Sequence, residues 1–261
     1  MACPELIIVC CHAIWLGEAG SSASEENWLI KPFQREETPT FVQHLQTGLQ
    51  LFASKLSAVL VVSGAPTHKE TPRSEAGSYL LLAQAHNYWN ILGEHPSPVV
   101  LSRILVEERA LDSFYNVVFS LTLFYTNVRA WPERITVVAN EFKRARFTQL
   151  HGPALRWPRD RFMYVGIDPN FMRPDDIMFD EERAESVRAG ERRNGFEAWL
   201  NDPRGVLEFL EGKRRERNCW GVDQGLFAGD GDGVVRKESG ICWEMVDGRE
   251  VLGDGRQPWE I

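Results

Sequence analysis

The sequence has no C-x-x-C pair, no local Ser-His-Asp spacing, no Walker or G-x-G-x-x-G loop, and no apolar run long enough to cross a bilayer. Its five cysteines are an odd number, which argues against both a disulfide framework and a zinc site. Cys10-Cys11 falls inside an apolar strand pattern, where adjacent residues point to opposite faces. Both thiols are expected to be buried, reduced and inert. Basic excess is also missing: the formal net charge is −8 over 261 residues. General nucleic-acid binding, which needs a basic footprint, is thereby excluded. The N-terminal stretch lacks a basic n-region, and Glu5 interrupts the approach to the apolar run, so no secretory leader is expected. Residues 113–131 are apolar-rich but carry Ser113, Asn116, Ser120, Thr122, Thr126 and Asn127, which marks a core helix rather than a membrane span. These absences predict a soluble, cytoplasmic chain with neither a membrane span nor a nucleic-acid partner.

What is present is strand–helix alternation. Residues 6–11 form a continuous apolar run, as expected of a central parallel strand. A Ser/Glu-rich stretch over 18–37 reads as an inserted loop. Thr38-Pro39 then supplies an N-cap and a first-turn proline. Phe41, Leu45, Leu49 and Phe52 recur at helical spacing, predicting a helix over 39–54. Residues 58–63 give a second strand, and Ser74 caps a helix running to about residue 90. A short third strand over 103–107 precedes a helix capped by Asp112 or Ser113, with Val117, Leu121, Phe124, Tyr125 and Val128 on one stripe. Trp131-Pro132 ends that helix. A fourth strand is expected at 134–139, a helix at 142–150 and a fifth strand at 162–166. Short connections imply right-handed crossovers. The predicted fold is a Rossmann-like three-layer α/β sandwich whose five-stranded, mainly parallel sheet has the order 3-2-1-4-5, followed by C-terminal helices. A ligand crevice belongs where that order reverses, between strands one and four.

Residues 1–218 read as one domain, with 174–218 a charge-dense helical extension holding helices near 180–192 and 203–215. The basic cluster Lys213-Arg214-Arg215-Arg217 reads there as a solvated helix end. Residues 219–261 are Gly/Asp-rich, acidic and aperiodic, and disorder is expected. Asp230-x-Asp232 lacks the oxygen spacing of a calcium loop, and no metal site is predicted.

The candidate site starts from Val59-Leu60-Val61-Val62-Ser63-Gly64-Ala65-Pro66-Thr67, followed by Arg73-Ser74-Glu75-Ala76. A strand emptying into a small-residue loop before a helix start can offer backbone N–H groups and hydroxyls to a phosphate, carboxylate or ribose. Glu75 either suits the helix dipole or accepts from a ligand hydroxyl. Glu107, ending strand three, is near the same edge, and two such carboxyls can divide acid and base roles. Asp112 and Ser113 are explained by capping, whereas Asn116 is not. His12 ends the central strand at the switch point. Lys143 and Arg146 share one helix face and form an anion site. His44 and His151 read as structural or exposed.

In their order these motifs resemble the YdcF/SanA/ElyC-like family, a family of unknown function found in bacteria and, in a longer soluble form, in fungi. The likeness rests on Cys11-His12, the 63–67 loop, Arg73-Ser74-Glu75-Ala76, Glu107 with Asp112-Ser113 and Asn116, and Asn140 to Arg146, spanning about residues 5–218. The fungal form also supplies Phe33-Gln34-x-Glu36 and Lys213-Arg214-x-x-Arg217-Asn218. The resemblance implies a Rossmann-like fold with its motifs at one sheet edge and, from a bacterial member, S-adenosylmethionine as a cofactor. Envelope-linked members carry membrane anchors that this chain does not show. Two positions depart from the family pattern: the second loop glycine is Ala65, and a histidine frequent in the fourth motif is Lys143, a fixed cation instead of a proton shuttle.

The combined reading is a protein that binds a small anionic metabolite or nucleotide-like ligand through His12, Ser63, Gly64, Thr67, Arg73, Asn116, Lys143 and Arg146. Glu75 and Glu107 would be its catalytic carboxyls in phosphoryl-group transfer or hydrolysis. Two alternatives stand beside it: a non-catalytic S-adenosylmethionine or nucleotide sensor, and a scaffold with a vestigial crevice.

Overall fold

A computed structural model describes residues 4–17, 22–231 and 233–260. Residues 18–21, at the head of the expected inserted loop, and Asp232 of the Asp230-x-Asp232 pair lie outside the described residues.

Five strands, β1 (Glu5–Cys10), β2 (Val59–Ser63), β3 (Ile104–Glu107), β4 (Arg134–Ala139) and β5 (Phe162–Gly166), make the central sheet. Its order is β3-β2-β1-β4-β5, as expected, and every pairing is parallel, with Ile7 opposite Leu60 on one side and Thr136 on the other. Beyond Glu5, β1 is apolar because both its faces are covered. Leu6, Ile8 and Cys10 point into the core under α3 (Ser113–Val128), while Ile7, Val9 and Cys11 point to α1 (Thr38–Ala53) and α2 (Glu75–Ala85). The result is an α/β Rossmann-like fold. The adjacent cysteines separate to opposite faces, and burial pushes the Cys10 thiol up to about 12. Among the described residues no helix is long and apolar enough to cross a membrane.

Local chemistry sets the element ends. Ser74 caps α2 by accepting from the Gly77 amide at 2.8 Å, and Asp112 caps α3 by accepting from the amides of Phe114 and Tyr115. At α1 the expected cap does not hold: Glu37 occupies that position, and the Thr38 hydroxyl instead donates to the Ala23 carbonyl. Helix α2 also stops five residues short of the expected 90, because Asn87, Tyr88, Trp89 and Asn90 all take left-handed backbone angles. The helix expected at 142–150 is a 3-10 turn (Glu141–Lys143) followed by a π-helical turn (Arg146–His151). A second π-turn, Arg192–Phe196, extends α4 (Glu181–Glu191), and α5 (Glu208–Arg217) follows.

The expectation of disorder after residue 218 is corrected. Helix α6 (Val234–Ser239) is followed by an antiparallel hairpin of β6 (Trp243–Val246) and β7 (Arg249–Leu252). Asp247 and Gly248 turn that hairpin with φ of 49° and 78°, the left-handed pair that a two-residue hairpin loop needs. Leu226, Phe227, Ile241, Leu252 and Trp259 are buried in the α3-side core. Trp259 lies 4.9 Å from Trp131 and 5.3 Å from Trp157 between ring centroids, and its Nε1 donates to the Leu155 carbonyl. A low average hydropathy conceals these few, widely spaced apolar anchors.

Candidate functional site

A cleft of about 720 Å³ opens at the carboxyl ends of β1 and β4, where the strand order reverses. Cys10, Cys11 and His12 from the end of β1 line it, with Thr67 from the β2–α2 connection, Glu75 from the start of α2, and Ser113 and Asn116 from the start of α3. Phe142, Lys143, Arg146 and Phe147 follow β4, and Lys31, Phe33, Gln34 and Glu37 arrive from the insertion. Residues Glu191, Arg193, Asn194, Lys213 and Arg217 close the opposite wall. Arg146 and Phe147 belong to one π-turn and Arg193, Asn194 and Gly195 to the other, so both π-turns face the same space. Such turns re-aim side chains and recur at functional sites.

The charge of the cleft opposes that of the chain. Six basic side chains line it (Lys31, Lys143, Arg146, Arg193, Lys213 and Arg217) against the carboxyls of Glu37, Glu75, Asp112 and Glu191. Asp112 is already committed, since its Oδ2 accepts from Arg214 at 2.9 Å. Lys143 Nζ lies 3.4 Å from His12 Nδ1. Burial, and then the neighbouring Arg146, lower the Lys143 pKa, while Glu191 and Glu37 oppose them. Burial and then Lys143 hold His12 well below the usual histidine range. The ring is therefore neutral, with Nδ1 accepting and Nε2 carrying its proton, and Nε2 is buried without a partner. Burial raises Glu37 to about 7. It also raises Glu75, against the Thr67 hydroxyl that donates to it at 2.6 Å, and Glu191, whose Oε1 is 3.1 Å from Arg146 Nε. The cleft thus combines cations with carboxyls whose pKa burial raises, Glu37 reaching about 7.

Six predicted residues meet here: His12, Thr67, Glu75, Asn116, Lys143 and Arg146. Four do not. Ser63 is fully buried beneath the floor, its Oγ 2.8 Å from Glu107 Oε2 and 2.9 Å from Asn116 Oδ1. Glu107 is not a free carboxyl: it also accepts from the amides of Arg109 and Ala110 and is 98% buried by its 2% exposure. Its role is to fix the β3–α3 loop. The Gly64 amide donates to the Glu107 carbonyl and the Ala65 amide to the Ala110 carbonyl, so neither is available to cradle an anion. Arg73 turns away, donating to the Trp15 carbonyl. The first amides of α2 are likewise consumed by Ala65, Gly64 and Ser74.

Other lining residues were not read as site residues from sequence. Lys213 and Arg217 lie in the basic cluster assigned to solvent, but α5 divides that cluster: these two face the cleft, Arg214 is buried on Asp112, and Arg215 pairs outward with Glu208. The periodicity of a helix this polar gave little phase signal. His44 is buried and donates to the Ile167 carbonyl. His151 is buried too, but its Nε2 lies 2.8 Å from Ser113 Oγ. Among the described residues, no three His, Cys, Asp or Glu side chains converge in a way that would hold a metal ion.

The sequence is similar to the uncharacterized protein YOR238W of Saccharomyces cerevisiae, at 27% identity over 253 residues, covering 82% of this chain and 83% of the yeast protein. No family model matches the sequence. No solved structure matches it.

Proposed function

We propose that the cleft binds a small anionic or nucleotide-like ligand, and that the chain is a YdcF-like protein acting as a phosphoryl-group transferase or hydrolase. The observation that supports this best is the gathering of Lys143, Arg146, Lys213 and Arg217 at the strand-order reversal of a chain whose net charge is −8. Their cost is borne only in part by Glu191 and Glu37, so an anion would complete the balance. Lys143 and Arg146 would neutralise developing charge. Asn116, Thr67 and the unpaired His12 Nε2 would orient polar groups. Of the two carboxyls first assigned to catalysis, Glu75 lines the cleft, and Glu37 and Glu191 join it as proton donors or acceptors.

The S-adenosylmethionine sensor has less support. Strand β2 ends without a carboxylate for a ribose, and a basic cleft disfavours a sulfonium. A cytoplasmic location is part of the same proposal, supported by Cys10, Cys11, Cys219 and Cys242 being free thiols.

Thermal and urea unfolding of the full chain with phosphate, pyrophosphate, nucleotides and S-adenosylmethionine tests the reading. An anion at one hundred times its Kd should stabilise the parent by about 2.7 kcal/mol. The effect should vanish in Lys143→Ala and Arg146→Ala. A folded parent that responds to no anion, or a response retained in both variants, overturns it.

A further inference from the structure

The proposed phosphoryl chemistry leaves the pair Ser113 and His151 unused, although it touches the cleft. Ser113 occupies the first turn of α3, lines the cleft and is partly exposed, while His151 is fully buried behind it. The two meet at 2.8 Å through Ser113 Oγ and His151 Nε2. His151 has no second polar contact: Nδ1 is buried and unpartnered. Around the ring stand Phe114, Phe147 and Trp199, with centroids at 5.5, 5.1 and 4.7 Å. Apart from Ser113 Oγ the ring meets only these aromatic side chains, and the Ser113 hydroxyl donates to Nε2 in the tautomer that carries its proton on Nδ1. Burial and then Arg146 keep the ring neutral, as a base must be before it acts. The same Arg146 that disfavours an imidazolium favours an alkoxide and a phosphoryl group in front of it.

We propose that Ser113 is a nucleophile with His151 as its general base, forming a phosphoserine intermediate on a phosphate-ester substrate. This rests on the anion-binding reading of the cleft. In the first half, the bond from Ser113 Oγ to phosphorus forms as the bond to the leaving alcohol breaks. The hydroxyl proton passes to His151 Nε2, and the departing oxygen takes a proton from a protonated cleft carboxyl. In the second half, water gives a proton to that carboxylate and bonds to phosphorus. Ser113 Oγ then leaves, recovers its proton from His151, and inorganic phosphate is released. A hydroxyl held by a neutral acceptor at the N-terminus of a sixteen-residue helix is placed for this attack.

An alkyl fluorophosphonate reads the first half without knowledge of the substrate, since the Oγ–P bond forms as fluoride leaves. The full chain, Ser113→Ala and His151→Gln are incubated with it, adducts are followed by intact mass and mapped by peptide, and each protein's melting curve is recorded. One adduct is expected on Ser113. It should be absent from Ser113→Ala and should form roughly 100-fold more slowly in His151→Gln, the usual scale of a general base. No adduct on the folded parent, an adduct elsewhere, or an unchanged rate in folded His151→Gln overturns the proposal. If His151→Gln does not fold, Ser113→Ala decides, because it removes only one partly exposed hydroxyl. Phosphate-dependent stabilisation is measured in parallel. Stabilisation without an adduct removes the nucleophile and keeps the anion site; an adduct without stabilisation does the reverse.

Discussion

Gly64 sits at the one point where the loop after β2, the end of β1 and the start of α2 come together. It is not among the left-handed glycines, so its constraint is space. A Cβ there would fall 2.9 Å from Glu75 Oε2 and 3.0 Å from Cys11 Cβ. Gly64→Ala should therefore cost about 1–3 kcal/mol in urea unfolding, the range for an overpacked interior; a cost below about 0.5 kcal/mol, that of an ordinary surface change, would show that the loop yields freely. At this scale the sequence was legible where chemistry was local. His12 just past the end of β1, and Lys143 with Arg146 three residues on, were placed at the cleft by position alone. Ser63, Gly64 and Glu107 were placed at the right edge but in the wrong role, since no sequence pattern reveals that the Gly64 amide donates to the Glu107 carbonyl. Ser113 and His151 stand 38 residues apart in the chain, and only the fold brings them together.

The five central strands and helix α1 could be read from their apolar runs and periodicity, and the starts of α2 and α3 from the capping residues Ser74 and Asp112. The elements that departed from expectation did so for identifiable reasons. A π-turn such as Arg146–His151 shifts a helix by one residue without altering its composition. The segment after residue 218 is anchored by Leu226, Phe227, Ile241, Leu252 and Trp259, which are too widely spaced to make a period. Its Asp247-Gly248 dipeptide is a hairpin signal, obscured by the glycines and aspartates around it. Trp259 is the anchor to test: it is 2% exposed, packed on Trp131 and Trp157, and donates to Leu155. Trp259→Ala should lower stability by about 3–5 kcal/mol, the cost of emptying so large a buried site. An unchanged urea midpoint would mean that the tail does not dock.

Across the molecule, buried histidines set the response to acid. Burial holds His12 and His151 well below the usual range and His44 at about 4. An unfolded chain binds these protons near 6.5, so the stability present above that value is lost as pH falls through the window. For His44 the full window is worth about 3 kcal/mol. Glu37 works in the opposite sense: raised from 4.5 to about 7, it binds its proton more tightly in the fold, and stability falls as pH rises between those values. His44→Gln separates the two. Between pH 7 and pH 4.5 the parent should lose about 2 kcal/mol more than the variant, measured by urea unfolding at both values. Equal losses would show that His44 titrates alike in both states. The walls of the cleft have a further consequence at this scale. Lys31, Asn116, Lys143 and Arg217 lie far apart along the chain, so an occupant touching them would act as a non-covalent cross-link, closing several long loops at once. Its arrival would suppress local opening in the insertion and in α5 together, and amide exchange would slow in segments that never meet the occupant themselves.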